Sequence, residues 1–114
     1  MTTDPETFLP LTETTLLILV ALSTTPKHGY AILKEVSTLS DARITLSTGT
    51  LYGALERLLD QQWIERIDDP AGQSERGRKA YQLTQLGRDV MKAEMQRMEH
   101  VLRQARLRMA GAIE

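Results

Sequence analysis

The groups best arranged for chemistry in this chain are cationic. Arg76, Arg78 and Lys79 put three positive charges within four residues, around Gly77. Cations spaced this way on a glycine-containing turn suit the phosphate backbone or the minor groove of DNA. Such contacts carry affinity and salt dependence but no sequence information. A second group, Thr48, Thr50, Tyr52, Gly53 and Arg57, falls opposite the leucines of a predicted helix. Its hydroxyls and its guanidinium can reach phosphates or base edges if that helix enters a major groove. Gly49 and Gly53 each cost a helix about 1 kcal/mol against alanine. That cost makes sense where the helix must come close to DNA or to another backbone. Lys34, on the preceding helix, adds a phosphate contact. Plainer readings stand beside these: Tyr52 as a half-buried core residue, and Arg57 as the solvated partner of Glu56 or Asp60.

Other chemistries find little support. The histidines are His28 and His100, and neither is accompanied by a Ser-His-Asp order, a paired carboxylate cluster or a phosphate-cradling glycine loop. No enzyme and no cofactor are therefore expected. The chain has no cysteine, which excludes disulfides, thiolate chemistry and Cys-based zinc sites. The longest apolar run, residues 16–22, is far short of the roughly 20 residues that cross a bilayer. No positive flank precedes that run, so a cytoplasmic location is expected. Aromatic residues make up only 4%, too few for an RNA-stacking platform. The net charge of −1 counts against nucleic acid at face value, but its distribution does not. Residues 1–26 hold three acids and no base, whereas residues 76–108 hold nine bases and three acids. Local fields, rather than the total, steer a protein to phosphate.

The elements that must position these groups can be read from periodicity and caps. At 114 residues the chain fits one domain. Residues 1–11 are polar or proline-broken and read as an arm. Thr12 is a predicted N-cap for a helix to about Ser23, apolar on every side and so in need of cover on every side. A second helix is predicted over 28–38, with Ile32, Leu33 and Val36 inward. Ser47 caps a third to about Gln61, where Leu51, Leu55, Leu58 and Leu59 make one apolar face. Strands are predicted at 63–67 and 80–83, flanking a turn-rich run at 69–74. Trp63 reads as core. Thr84 then caps a helix to about Ala110. Along it Met91, Met95, Met98, Leu102, Ala105 and Met109 are spaced by 4, 3, 4, 3 and 4 residues, a heptad seam. Such a helix outruns what a domain of this size can cover, so pairing with a second chain is expected. Leu16, Leu19 and Val20 join that interface. Met91, Met95 and Met98 are also candidates for an apolar effector pocket, because methionine surfaces are adaptable; packing alone is the plainer role.

Three helices, a hairpin with a basic tip and a long final helix describe a mainly α winged helix-turn-helix. It divides into an arm (1–11), a DNA-binding unit (12–84) and a C-terminal dimerisation helix with its tail (85–114). Four phrases carry a resemblance: Leu11-Thr12-Glu13-Thr14, Pro26-Lys27-His28-Gly29-Tyr30, residues 47–55 (Ser-Thr-Gly-Thr-Leu-Tyr-Gly-Ala-Leu) and residues 81–88 (Tyr-Gln-Leu-Thr-Gln-Leu-Gly-Arg). In this order and spacing the chain resembles the PadR family of bacterial transcriptional regulators, in its short form. The resemblance implies a dimeric winged-helix repressor whose DNA affinity responds to a small aromatic or cationic compound. Gln62-Trp63 departs from the Gly-Leu-like pair expected after the third helix, and Asp41-Ala42-Arg43 replaces a glycine-containing turn. The rival reading is a winged-helix module that binds protein instead of DNA.

The wing assignment has a direct test. Replacing Arg76 and Arg78 together by alanine is expected to weaken duplex binding and flatten its salt dependence; an unchanged slope would remove the wing from the interface.

Overall fold

Thr12 and Ser47 do what their positions before apolar runs predict. Each hydroxyl accepts the backbone N–H three residues on, Thr15 at 3.2 Å and Thr50 at 3.1 Å. They start α1 (Glu13–Ala21) and α3 (Thr48–Asp60), with α2 (Gly29–Leu39) between. Two antiparallel strands follow, β1 (Ile64–Asp68) and β2 (Lys79–Leu83), and then α4 (Gln85–Gly111). The computed structural model describes residues 4–68 and 79–111. Arg76, Arg78 and the turn-rich run at 69–74 lie outside them.

The core is built from α1 and the inner faces of α2 and α3, closed by the sheet and the start of α4. Ile18, Leu19, Leu22, Ile32, Leu51, Leu55, Ile64 and Val90 have essentially no exposed surface. Leu19 was expected at a dimer interface; it lies instead in the chain's own core. The reason is that α1 packs against both α2 and α4, so the cover expected from a partner comes largely from the chain itself. Leu16 and Val20 are only partly covered.

The presumed arm is also docked. Pro5–Phe8 forms a 3-10 turn against α4, and Phe8 sets its ring edge-on to Trp63 at 5.0 Å. Glu94, almost fully buried, accepts the Leu11 N–H at 2.9 Å and Arg97 Nε–H at 2.5 Å. The bond from Arg97 holds the Glu94 carboxyl below the usual range against the opposing effect of burial, and the Leu11 bond helps. Its contribution to stability is complete above the ordinary glutamate range and fades as pH falls through the lowered value.

Both departures from the family phrase fall where the backbone is left-handed. α3 ends in a Schellman motif, with Trp63 N–H to Leu58 O and Gln62 N–H to Leu59 O, both 3.0 Å. Gln62 occupies its left-handed position at φ 64°. α2 ends the same way through Ala42 N–H to Ser37 O and Asp41 N–H to Thr38 O, with φ 56° at Asp41 and 62° at Ala42. Glycine is the usual residue there because it has no Cβ to clash.

α4 begins on this same corner. Thr84 Oγ1 accepts the Gly87 N–H at 3.0 Å, as the predicted cap, and donates to Gln62 O at 2.6 Å. Thr84 N–H donates to Trp63 O at 3.0 Å. A Cβ on Gly87 would lie 2.0 Å from that same Trp63 oxygen, so only glycine admits this approach.

Two substitutions should therefore move stability in opposite directions, read by thermal or denaturant melting. Gly87→Ala is expected to lose about 2 kcal/mol or more, because backbone must move. Ala42→Gly is expected to gain about 0.5–1 kcal/mol by relieving a left-handed alanine.

Candidate nucleic-acid interface

α3 is two-faced. Leu51, Ala54, Leu55 and Leu58 are buried, while Thr48, Gly49, Thr50, Tyr52, Gly53, Glu56 and Arg57 are exposed. The outer face has little relief near its start. A Cβ on Gly49 or Gly53 would meet nothing within 4 Å. Neither glycine is needed for packing within the chain, so a close approach, if that is their purpose, is made by something outside it. Arg57, in the last turn, makes no ion pair with Glu56 or Asp60 among the described residues.

Tyr52 fits the plainer reading, a half-buried tyrosine. It is 44% exposed, yet its hydroxyl rests on α2, where a Cβ on Gly29 would come within 2.5 Å of it. Lys34 is exposed and holds its ammonium 5.5 Å from the Tyr30 ring centroid. Tyr30 itself is 70% exposed and sits one helical turn before Lys34. It was overlooked as a surface group because its phrase, His28-Gly29-Tyr30, was used only to recognise the family.

The sheet lies beside this face. Register pairs Arg66 with Tyr81 and Asp68 with Lys79. Lys79 Nζ donates to Asp68 Oδ1 at 2.5 Å, so part of its charge is already answered within the hairpin. Arg66, on the neighbouring strand, makes no such pair among the described residues and is a candidate contact that sequence reasoning missed. The hairpin is tied back to the helices on its other side. Lys27 and Tyr81 exchange both backbone bonds, at 3.0 and 2.8 Å. His28 Nδ1–H donates to Lys79 O at 3.0 Å, so this histidine bonds across to β2.

The α4 stripe divides in two. Met91 packs partly against the core, whereas Met95, Met98, Leu102, Ala105 and Met109 are exposed. Met95, Met98, Val101, Leu102 and Ala105 line an open groove of about 550 Å³, and Met91 does not. The three methionines suggested for an effector pocket are thus not brought together in one chain.

The sequence model of the "Transcriptional regulator PadR-like family" matches residues 18–93, a span that takes in most of α1, then α2, α3, the hairpin and the start of α4. The chain belongs to this family. Among its relatives, an uncharacterised protein of transposon TN4556 in Streptomyces fradiae is 36% identical over 83 residues, covering 73% of this chain and 22% of that one. Escherichia coli transcriptional regulator YqjI is 29% identical over 100 residues, 88% of this chain and 46% of its own. The PadR-like chain thus spans less than half the length of these curated relatives. A PadR family regulator from Clostridium difficile superposes with a TM-score of 0.69 at 26% identity, covering 86% of this chain and 99% of that one. Bacillus subtilis PadR, solved in complex with operator DNA, shares the fold with a TM-score of 0.60 at 22% identity, covering 73% of this chain and 46% of its own.

Gly53 offers a test in which stability and binding part company. Gly53→Ala should raise helix stability by up to about 1 kcal/mol, since the added methyl meets nothing, while lowering duplex affinity in fluorescence anisotropy. Equal affinity in a stabilised variant would show that the glycine serves no close approach.

Proposed function

We propose that this PadR-like chain is a sequence-specific DNA-binding regulator of transcription that acts as a homodimer. Each protomer lays α3 in a major groove through Thr48, Thr50, Tyr52, Gly53 and Arg57. Lys34 and the wing cations Arg76, Arg78 and Lys79 hold the flanking phosphates. A two-fold dimer presents its two α3 helices to half-sites one or two turns apart, which makes the operator pseudo-palindromic. Occupation of such a site blocks transcription, so the regulator is read as a repressor.

The observation that carries this reading is the outer face of α3: small, polar, and holding two glycines where an added Cβ would meet nothing within 4 Å among the described residues. The operator complex of Bacillus subtilis PadR supports it by likeness of fold. The dimer rests on α4, whose 27 residues span about 40 Å. Its second half leaves Met95, Met98, Leu102, Ala105 and Met109 uncovered at heptad spacing. A small aromatic or cationic effector would enter the methionine-lined groove when a second protomer closes it, and would release the DNA by shifting the two α3 helices apart.

A protein-binding role draws some support from Glu56 and Asp60, which put two acids on the exposed side of α3. Anisotropy separates the two readings, using duplexes tiled from the gene's own upstream region against scrambled competitor. Saturable binding to one pseudo-palindromic tile is the expected result, and equal weak binding everywhere would favour the protein partner. Met98→Gln with Leu102→Gln is expected to give monomers in light scattering with much weakened DNA binding; a retained dimer mass would show that another surface pairs the chains.

A further inference from the structure

Between the starts of α2 and α3 lies a notch of about 190 Å³ whose lining is mostly carbon. Leu51, almost fully buried in α3, and Leu33, partly buried in α2, give it aliphatic groups. Tyr30 and Tyr52, far more exposed, bring it to the surface, and Gly29 and Thr48 complete it. Its form depends on Gly29. A Cβ there would lie 2.5 Å from the Tyr52 hydroxyl oxygen and 2.9 Å from the ring carbon that carries it. The missing side chain is thus what lets Tyr52 rest across the start of α2. Tyr30 has its own support, since the Lys34 ammonium stands 5.5 Å from the ring centroid.

Two of these residues, Thr48 and Tyr52, also belong to the outer face of α3 that is read above as entering a major groove. An apolar notch on such a face narrows the choice of occupant. Base edges in that groove carry hydrogen-bonding groups, and the apolar substituent among them is the C5 methyl of thymine. A phosphate would lose water against this lining and gain no partner for its charge. A drug-sized effector is too large, because pockets for such ligands begin at roughly 300 Å³.

We propose that this notch seats the C5 methyl of one thymine in each operator half-site, so that Tyr30, Leu33 and Tyr52 determine specificity without a hydrogen bond. The proposal rests on the DNA-binding reading above and adds to it the identity of one base. Thr48, exposed beside the notch, offers its hydroxyl to the thymine O4, the neighbouring group on the same base edge. The seat equally accepts the methyl of 5-methylcytosine, whose exocyclic amine replaces O4. Methylated cytosine is then read as a partial mimic of thymine, and unmethylated cytosine is not.

The test uses the full chain and the duplex that it selects from the tiled upstream region. Thymines are exchanged for uracil one at a time, which removes a methyl and leaves every hydrogen-bonding group in place. One position in each half-site is expected to lose about fourfold in affinity, the worth of one buried methyl, with the salt slope unchanged. At that position 5-methylcytosine should bind more tightly than cytosine by a similar factor. Two protein variants then locate the methyl. Tyr30→Ala removes a ring that is 70% exposed, and Gly29→Ala displaces Tyr52 at the far end of a flexible side chain. In each, the preference for thymine over uracil at that position should fall toward one. A selected duplex indifferent to every thymine-to-uracil exchange overturns the methyl seat and leaves the DNA-binding reading standing. A uracil effect that persists undiminished in both variants also overturns the seat, since the methyl then lies against another part of the protein. If the chain selects no duplex at all, the DNA-binding reading fails and the seat fails with it.

Discussion

The approach of α4 to the backbone of Trp63 is the contact on which the rest of the arrangement hangs. One carbonyl accepts the Thr84 N–H and lies where a Gly87 Cβ would be. The same corner closes α3 through its Schellman bonds, begins β1 and caps α4. α3, the hairpin and α4 thus leave a single point of backbone. Rigid connection there is what would let a change along α4 be felt at α3, since packed backbone transmits displacement without absorbing it.

Charge in this chain is used locally before it is offered outward. Arg43 pairs with Glu13 and secures the turn after α2 to the start of α1. Lys27 Nζ donates to Ala21 O at 2.6 Å and so ends α1 at its negative pole. Arg97 holds the buried Glu94, and Lys79 is shared with Asp68. Exposed pairs of this kind add little to stability; their effect is to decide which cations stay available. Arg57 and Arg66 make no ion pair among the described residues. In the DNA-binding reading, this selection lets a chain of net charge −1 offer cations to phosphate.

α4 changes character along its length. Up to Glu94 it belongs to the domain, with Gly87, Val90 and Glu94 buried and Met91 against the core. From Met95 onward its apolar residues face outward without cover from the described residues. The heptad spacing runs through both halves without a break, because one helical stripe serves two partners in turn: first the chain's own α1 and docked N-terminal segment, then, in the homodimer reading, a second copy.

Much of this was legible in the sequence because it depends on neighbours in the chain. Thr12, Ser47 and Thr84 announce helix starts by a bond that spans three residues, and the leucines of α3 separate its faces by period alone. The departures at Asp41-Ala42 and Gln62 also marked a real feature, since left-handed residues after helices are required by helix-end geometry and are merely filled here without glycine. What lay beyond the sequence depends on residues far apart. That α1 packs against α4, that Leu11 is held by Glu94, and that His28 reaches Lys79 are each set by contacts across tens of residues, which no local period encodes.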